Sequence, residues 1–281
     1  MPTFDTPGPI TANIDILAGE LRLVATDRSD TIVHVRPAEE SEDRDRRAAE
    51  QTRVELVSGT LTIRGPRHPT FGVFGKVGVI DVLVELPIGS EVEAKAGAGG
   101  IRASGELGDC RLRSGAGDVQ AEHVGSADLT TGYGLVAVEN VTGDAKLTTG
   151  SGKLRVRSVT GPAVLKNGNG ESWVGHAGSE LRIHSANGDI VADHAAGPLT
   201  ANTANGDIRV RELVRGTTTL RTAAGRIEIG IRQGTAARLD VHTHYGRVRN
   251  EMTATDGPVE TDEQAEVRAR TAFGDIVIRR S

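Results

Sequence analysis

The sequence predicts an all-β protein, a single elongated β-solenoid of about ten short coils of roughly 18 residues each. Three observations predict it. A glycine recurs at Gly99, Gly117, Gly134, Gly152, Gly170, Gly188, Gly206, Gly225, Gly246 and Gly274, with spacings of 18, 17, 18, 18, 18, 18, 19, 21 and 28. Apolar and polar residues alternate on both sides of each glycine, as half-buried strands do. Aromatics make up only 2% of the chain while glycine contributes 36 of 281 residues, so the core is built from many small aliphatic side chains.

The rows follow from the repeat. Two residues past the glycine stand Ile101, Val119, Val136, Leu154, Ser172, Ile190, Ile208, Ile227, Val248 and Ile276. Four past it the row ends Val210, Ile229, Asn250, Ile278, and five before it come Leu112, Leu129, Leu147, Leu165, Ile183 and their counterparts. These rows are expected to point inward. Stacked coils pair equivalent strands in parallel ~4.8 Å apart, so ten coils in chain order would span roughly 50 Å. Three before the glycine runs a hydroxyl and amide row, Ser114, Thr131, Thr149, Asn167, Ser185, Thr203, Thr222, Thr243 and Thr271. It is expected to bond the neighbouring coil or nearby backbone.

Residues 1–90 are expected to form irregular coils and a cap, and 91–281 the regular repeats, in one domain covering 1–281. Ile14 and Ile16, Gly19, then Leu21 and Leu23 repeat the motif, as do Val54 and Leu56, Gly59, then Leu61 and Ile63. Extra strands are expected near 31–35 and 77–86. The charge-dense stretch 38–51 reads as a solvated loop or short helix, 65–76 as a Gly/Pro-rich insertion, and about 251–266 as a third.

These repeats, of the form T-G-x-G-D-V-x-V and A-N-G-D-I-x-V, together with Pro9-Ile10 and Glu85-Leu86-Pro87-Ile88-Gly89, resemble a bacterial family of β-strand-repeat proteins labelled candidate adhesins, a domain of unknown function. The resemblance covers nearly the whole chain. It implies a right-handed β-solenoid without catalysis and carries over no functional residues.

The chemistry expected of the chain is correspondingly bland. A net charge of −5 provides no basic stripe for nucleic acid. No stretch approaches the ~20 apolar residues of a membrane span, and Met1-Pro2-Thr3-Phe4-Asp5 lacks the pattern of an export signal, so a cytoplasmic location is expected. The lone Cys110 sits in an inward row, seven before Gly117, and reads as a buried hydrophobe. Asp118, Asp189, Asp207 and Asp275 follow the glycines as calcium-binding repeats require, but the Gly-Gly-x-Gly-x-Asp nonapeptide is absent and Lys153, Arg226 and Arg247 share the row. His176 and His194 share a register with Glu212, a weak zinc signature on a surface corner. No nucleophile is accompanied by a base, so no enzyme, cofactor or metal is expected.

Two function classes remain: a scaffold engaging a protein partner or itself, and a carbohydrate-binding or carbohydrate-cleaving solenoid. The surface expected to carry the first is Trp173, three past Gly170, with Arg155, Val191 and Arg209 in the same outward row. Stacking should bring the Arg155 guanidinium over the indole. Phe71 and Phe74 form a second, weaker candidate.

Overall fold

A computed structural model describes residues 2–66, 77–252 and 263–281. The chain divides into two compact units, Met1–Ala137 and Val138–Ser281, the division falling within the strand Val136–Val141. In each unit a coil consists of a leading strand, the anchoring glycine, and a trailing strand, for example Leu181–Asn187, Gly188, Ile190–Ala195. Leading strands pair with leading strands and trailing with trailing, in parallel and in register, so each coil contributes one strand to each of two sheets.

The glycine is required where the coils meet. Gly188 has φ +136°, and a Cβ placed on it would lie 2.1 Å from the Gly170 carbonyl oxygen. The same collision recurs at Gly170 against Gly152, at 2.0 Å, and at Gly206 against Gly188, at 2.2 Å. Strand spacing is thus set by backbone packed on backbone at the corner. The row three before the glycine then fastens neighbours together. The Thr203 hydroxyl donates to the Gly188 carbonyl at 3.2 Å, Thr222 to Gly206 at 3.0 Å, and Ser114 to Gly99 at 2.8 Å. Asn167 takes the same role with its amide, donating to Gly152 at 3.2 Å. Ser185 departs from the row, its buried hydroxyl having no hydrogen-bond partner among the described residues.

The inward rows are buried as expected, including Ser172 at 0% exposure, except in the Gly246 coil, where Val248 and Asn250 are exposed. In the first unit the Glu91–Ala98 strand pairs with Thr11–Ala18, which pairs with Thr60–Arg64. Ile80–Pro87 lies beside Leu21–Thr26 in the other sheet. The stack then closes with antiparallel strands, Arg53–Val57 on Thr60–Arg64 and Asp30–Pro37 on Ile80–Pro87, which end the parallel pattern. The charged stretch forms the helix Asp43–Gln51, packed with Ala48 buried and with the Asp45 carboxylate accepting the Val79 N–H at 2.9 Å.

Two expectations are corrected. Val54, Leu56, Gly59, Leu61 and Ile63 do not form a coil. They belong to an antiparallel hairpin, turned by Ser58 at φ +49° and Gly59 at φ +76°. Consecutive positive φ values make the tight turn whose twist matches the strands it joins, and among the described residues nothing lies within 4 Å of a Cβ added to Gly59.

The second correction concerns order. Strand Glu263–Phe273 pairs on one side with Gly216–Ala224 and on the other with Thr235–Tyr245. The Gly274 coil therefore lies between the Gly225 and Gly246 coils, and the last two coils stack in reverse of chain order. Asn250 explains the preference: in an interior coil its position would be buried without water, whereas outermost it is exposed, as is Val248 at 43%.

No helix among the described residues is long and apolar enough to cross a membrane.

Candidate interaction face around Trp173

In the second unit the trailing strands Leu154–Val159, Ser172–Ala177, Ile190–Ala195 and Ile208–Leu213 lie side by side. Alternation buries Ser172 and Val174 and turns Trp173 outward between them. The register aligns Arg155, Trp173, Val191 and Arg209 across the four strands. The Arg155 guanidinium carbon lies 5.4 Å from the centroid of the indole, as the stacking argument expects. At exposed sites such a contact stabilises by ~0.5–1 kcal/mol.

The indole is half-buried, not standing free. It lies along its own strand over Gly175, where an added Cβ would come within 3.0 Å of the ring. Its Nε1–H donates to Asp193 Oδ2 at 3.1 Å, and Asp193 Oδ1 faces Arg211 Nε at 3.2 Å. The ring is thus held on three sides: by a cation above, by a glycine gap beneath its edge, and by a carboxylate on the next coil. Asp193, Arg211 and Gly175 were not among the expected residues. Asp193 and Gly175 occupy the same place, five past the glycine, and a glycine there beside a large ring is the signal that points to them.

Arg209 is in register but its charge is engaged elsewhere. Its Nε donates to Glu228 Oε2 at 2.9 Å, and Arg226 reaches the other oxygen at 3.3 Å. Burial alone would raise the Glu228 carboxyl, but the two guanidiniums outweigh it and hold the group below the ordinary carboxylate range. Phe71 and Phe74 lie outside the described residues.

The remaining candidates are committed to structure. Asp189 Oδ1 accepts the Asp207 N–H at 2.8 Å, Asp207 Oδ1 the Arg226 N–H at 2.7 Å, Asp118 Oδ1 the Leu135 N–H at 2.8 Å, and Asp275 Oδ1 the Arg247 N–H at 2.9 Å. Each carboxylate caps the adjoining coil at the corner. His176 and His194 stack with centroids 4.6 Å apart and planes 10° from parallel, and His194 Nδ1 lies 2.9 Å from Glu212 Oε1. Lone pairs in near-parallel ring planes do not converge on a point ~2.1 Å from both, which is what zinc needs. Cys110 is 2% exposed, and burial, with a smaller contribution from Asp109, pushes its thiol up to about 12.

A family model described as Toastrack DUF4097 matches residues 14–279. No curated protein matches the chain. Solved structures of similar chains include a candidate adhesin from Parabacteroides merdae, 12% identical, aligned over 100% of this chain and 95% of its own, with TM-score 0.35. A second, from Bacteroides fragilis, is 11% identical over 99% and 95% with TM-score 0.34. A candidate cell adhesion protein from Clostridium sporogenes is 11% identical over 100% and 98% with TM-score 0.24.

Proposed function

The chain belongs to the Toastrack DUF4097 family, and from that premise we propose that it is a non-catalytic scaffold whose trailing sheet receives a protein partner, or a second copy, at Trp173. The observation that carries this reading is the immobilised indole. In a chain with one Trp, that ring lies on an outward face, fixed by Arg155 and Asp193 and flanked by Val191. A pre-ordered aromatic among arginines loses little conformational freedom on binding, which is how interface hot spots gain affinity. The absence of catalysis is supported by where the reactive groups are spent. Ladder hydroxyls donate to glycine carbonyls, corner carboxylates accept backbone N–H groups, and the lone thiol is buried.

Sedimentation velocity of the wild type and Trp173→Ala across a concentration series tests self-association. Affinity capture from the native host, performed with both proteins, tests a foreign partner. The reading expects one of the two associations to be present and weakened at least about tenfold in the variant. An association equally strong in Trp173→Ala would place the working surface elsewhere.

A further inference from the structure

The outward face of the leading sheet in the second unit differs in chemistry from the Trp173 face. The five strands Ala145–Ser151, Ala163–Asn169, Leu181–Asn187, Leu199–Asn205 and Gly216–Ala224 contain no Asp or Glu at all. They carry Lys146, Lys166, Arg182 and Arg221, all exposed. The trailing strands of the same coils interleave Asp193, Glu212 and Glu228 with their arginines. In a protein of net charge −5, an acid-free face of this length is a segregation of charge.

Register turns these residues into two lines. One runs Lys166, His184, Asn202, Arg221, each directly beside the next. The other runs Arg182, Thr200, Thr219. Arg221 continues to Arg270 in the next strand, two like charges placed opposite each other, an arrangement that destabilises a sheet. Arg270 is answered by Asp240 at 2.9 Å and Arg182 by Glu180 at 2.7 Å, whereas among the described residues Lys146, Lys166 and Arg221 have no acidic partner.

We infer that this face binds an acidic polysaccharide lying along the stack, its carboxylate or sulfate groups on Lys166, Arg182 and Arg221 and its hydroxyls on Asn202, Thr200 and Thr219. The pairing of charge with hydroxyl and amide groups at a fixed ~4.8 Å repeat matches a polymer that bears both acid groups and hydroxyls. Nucleic acid fits less well, since these five strands carry no Phe, Tyr or Trp and leave only the His184 imidazole to stack a base. The inference rests on the leading sheet and is independent of the role given to Trp173.

The test is calorimetric titration of the full chain with polygalacturonate, with sulfated and desulfated heparin, and with neutral dextran, at 50 mM and 200 mM salt. Anionic phospholipid vesicles and single-stranded RNA serve as further arms. The expected result is binding to the acidic polymers, weakening as salt rises, with none to dextran. Lys166→Gln/Arg221→Gln should weaken it by about tenfold without lowering the melting temperature, since both side chains are exposed and the change relieves the Arg221–Arg270 repulsion. Arg155→Gln/Arg209→Gln, on the other sheet, removes the same charge and should leave it intact, as should Trp173→Ala. Equal loss in both double variants, absence of binding to the acidic polymers, or tighter binding to vesicles or RNA than to polysaccharide would overturn the inference.

Discussion

Replacing Gly188 by Ala perturbs the corner where coils touch, and its effect follows from two distances and an angle. At φ +136° an L side chain is strained, by ~1–3 kcal/mol at such backbone positions. The new Cβ would lie 2.1 Å from the Gly170 oxygen and 2.6 Å from its carbonyl carbon. Both are backbone atoms of the neighbouring coil, so no side chain can swing aside. Relief requires the two coils to part by about 0.9 Å to restore even the 3.0 Å below which Cβ contacts essentially never occur. That movement strains the flanking ladder, including Gly188 N–H to Asn205 O at 2.7 Å and Gly170 N–H to Asn187 O at 2.8 Å. Overpacking of this kind adds ~1–3 kcal/mol. The total, about 2–6 kcal/mol, is a large fraction of the ~5–15 kcal/mol that holds a typical domain. Gly59→Ala is the control: its φ is also positive, at +76°, but its Cβ meets nothing within 4 Å, so only about 1 kcal/mol of backbone strain is expected. Urea unfolding of the two variants, followed by circular dichroism, measures the difference. If Gly188→Ala proves no more destabilising than Gly59→Ala, the corner is not packed backbone on backbone and the reasoning fails.

Other outcomes follow from the same contacts. Cys110 should react with thiol reagent at pH 8 only after denaturation. Because its thiol is raised to about 12, its contribution to stability is present below the unfolded value near 9 and is lost as pH climbs toward 12. Cys110→Ala should flatten that alkaline decline in melting temperature. Glu228 works in the opposite sense: its carboxyl is lowered, so its bridge to Arg209 and Arg226 contributes at neutral pH and disappears as pH falls through the lowered value. Glu228→Gln should therefore lose stability at pH 7 but match the wild type in strong acid, as read from melts across pH. Thr203→Val removes the hydroxyl that donates to Gly188 and should lower stability by about 1 kcal/mol in urea titration.

How much of this was legible depends on where the information lies. Each coil spells out its own corner and inward rows, so Gly188, Ile190 and Ile183 could be placed from local period alone. The Arg155–Trp173 contact was legible too, because it lies along one row. Asp193 was not, since it reaches the indole diagonally from the next coil. The hairpin at Gly59 has Leu61 and Ile63 at the same offsets as a true coil, and what distinguishes the turn is backbone conformation invisible in the sequence: Ser58 is left-handed, and Gly59 has φ +76° where Gly188 has +136°. The reversal of the last two coils needs a comparison between them. Ile276 and Ile278 suit an interior coil, whereas Asn250 suits an end, but neighbouring repeats in a chain give no sign of being exchanged.

That exchanged stacking, with coils joined glycine to glycine across strands distant in sequence, can be tested by disulfide trapping in a Cys110→Ala background. Ala224 and Phe273 are in register on adjacent strands, and Tyr245 lies one strand further out. Neighbouring strands at ~4.8 Å fall within the span a disulfide can bridge, and a separation of two strands does not. Ala224→Cys/Phe273→Cys should close a disulfide quantitatively under mild oxidation, and Ala224→Cys/Tyr245→Cys should remain reduced. The opposite outcome, with 224 joined to 245 and not to 273, would mean that the coils stack in chain order and would contradict the architecture described here.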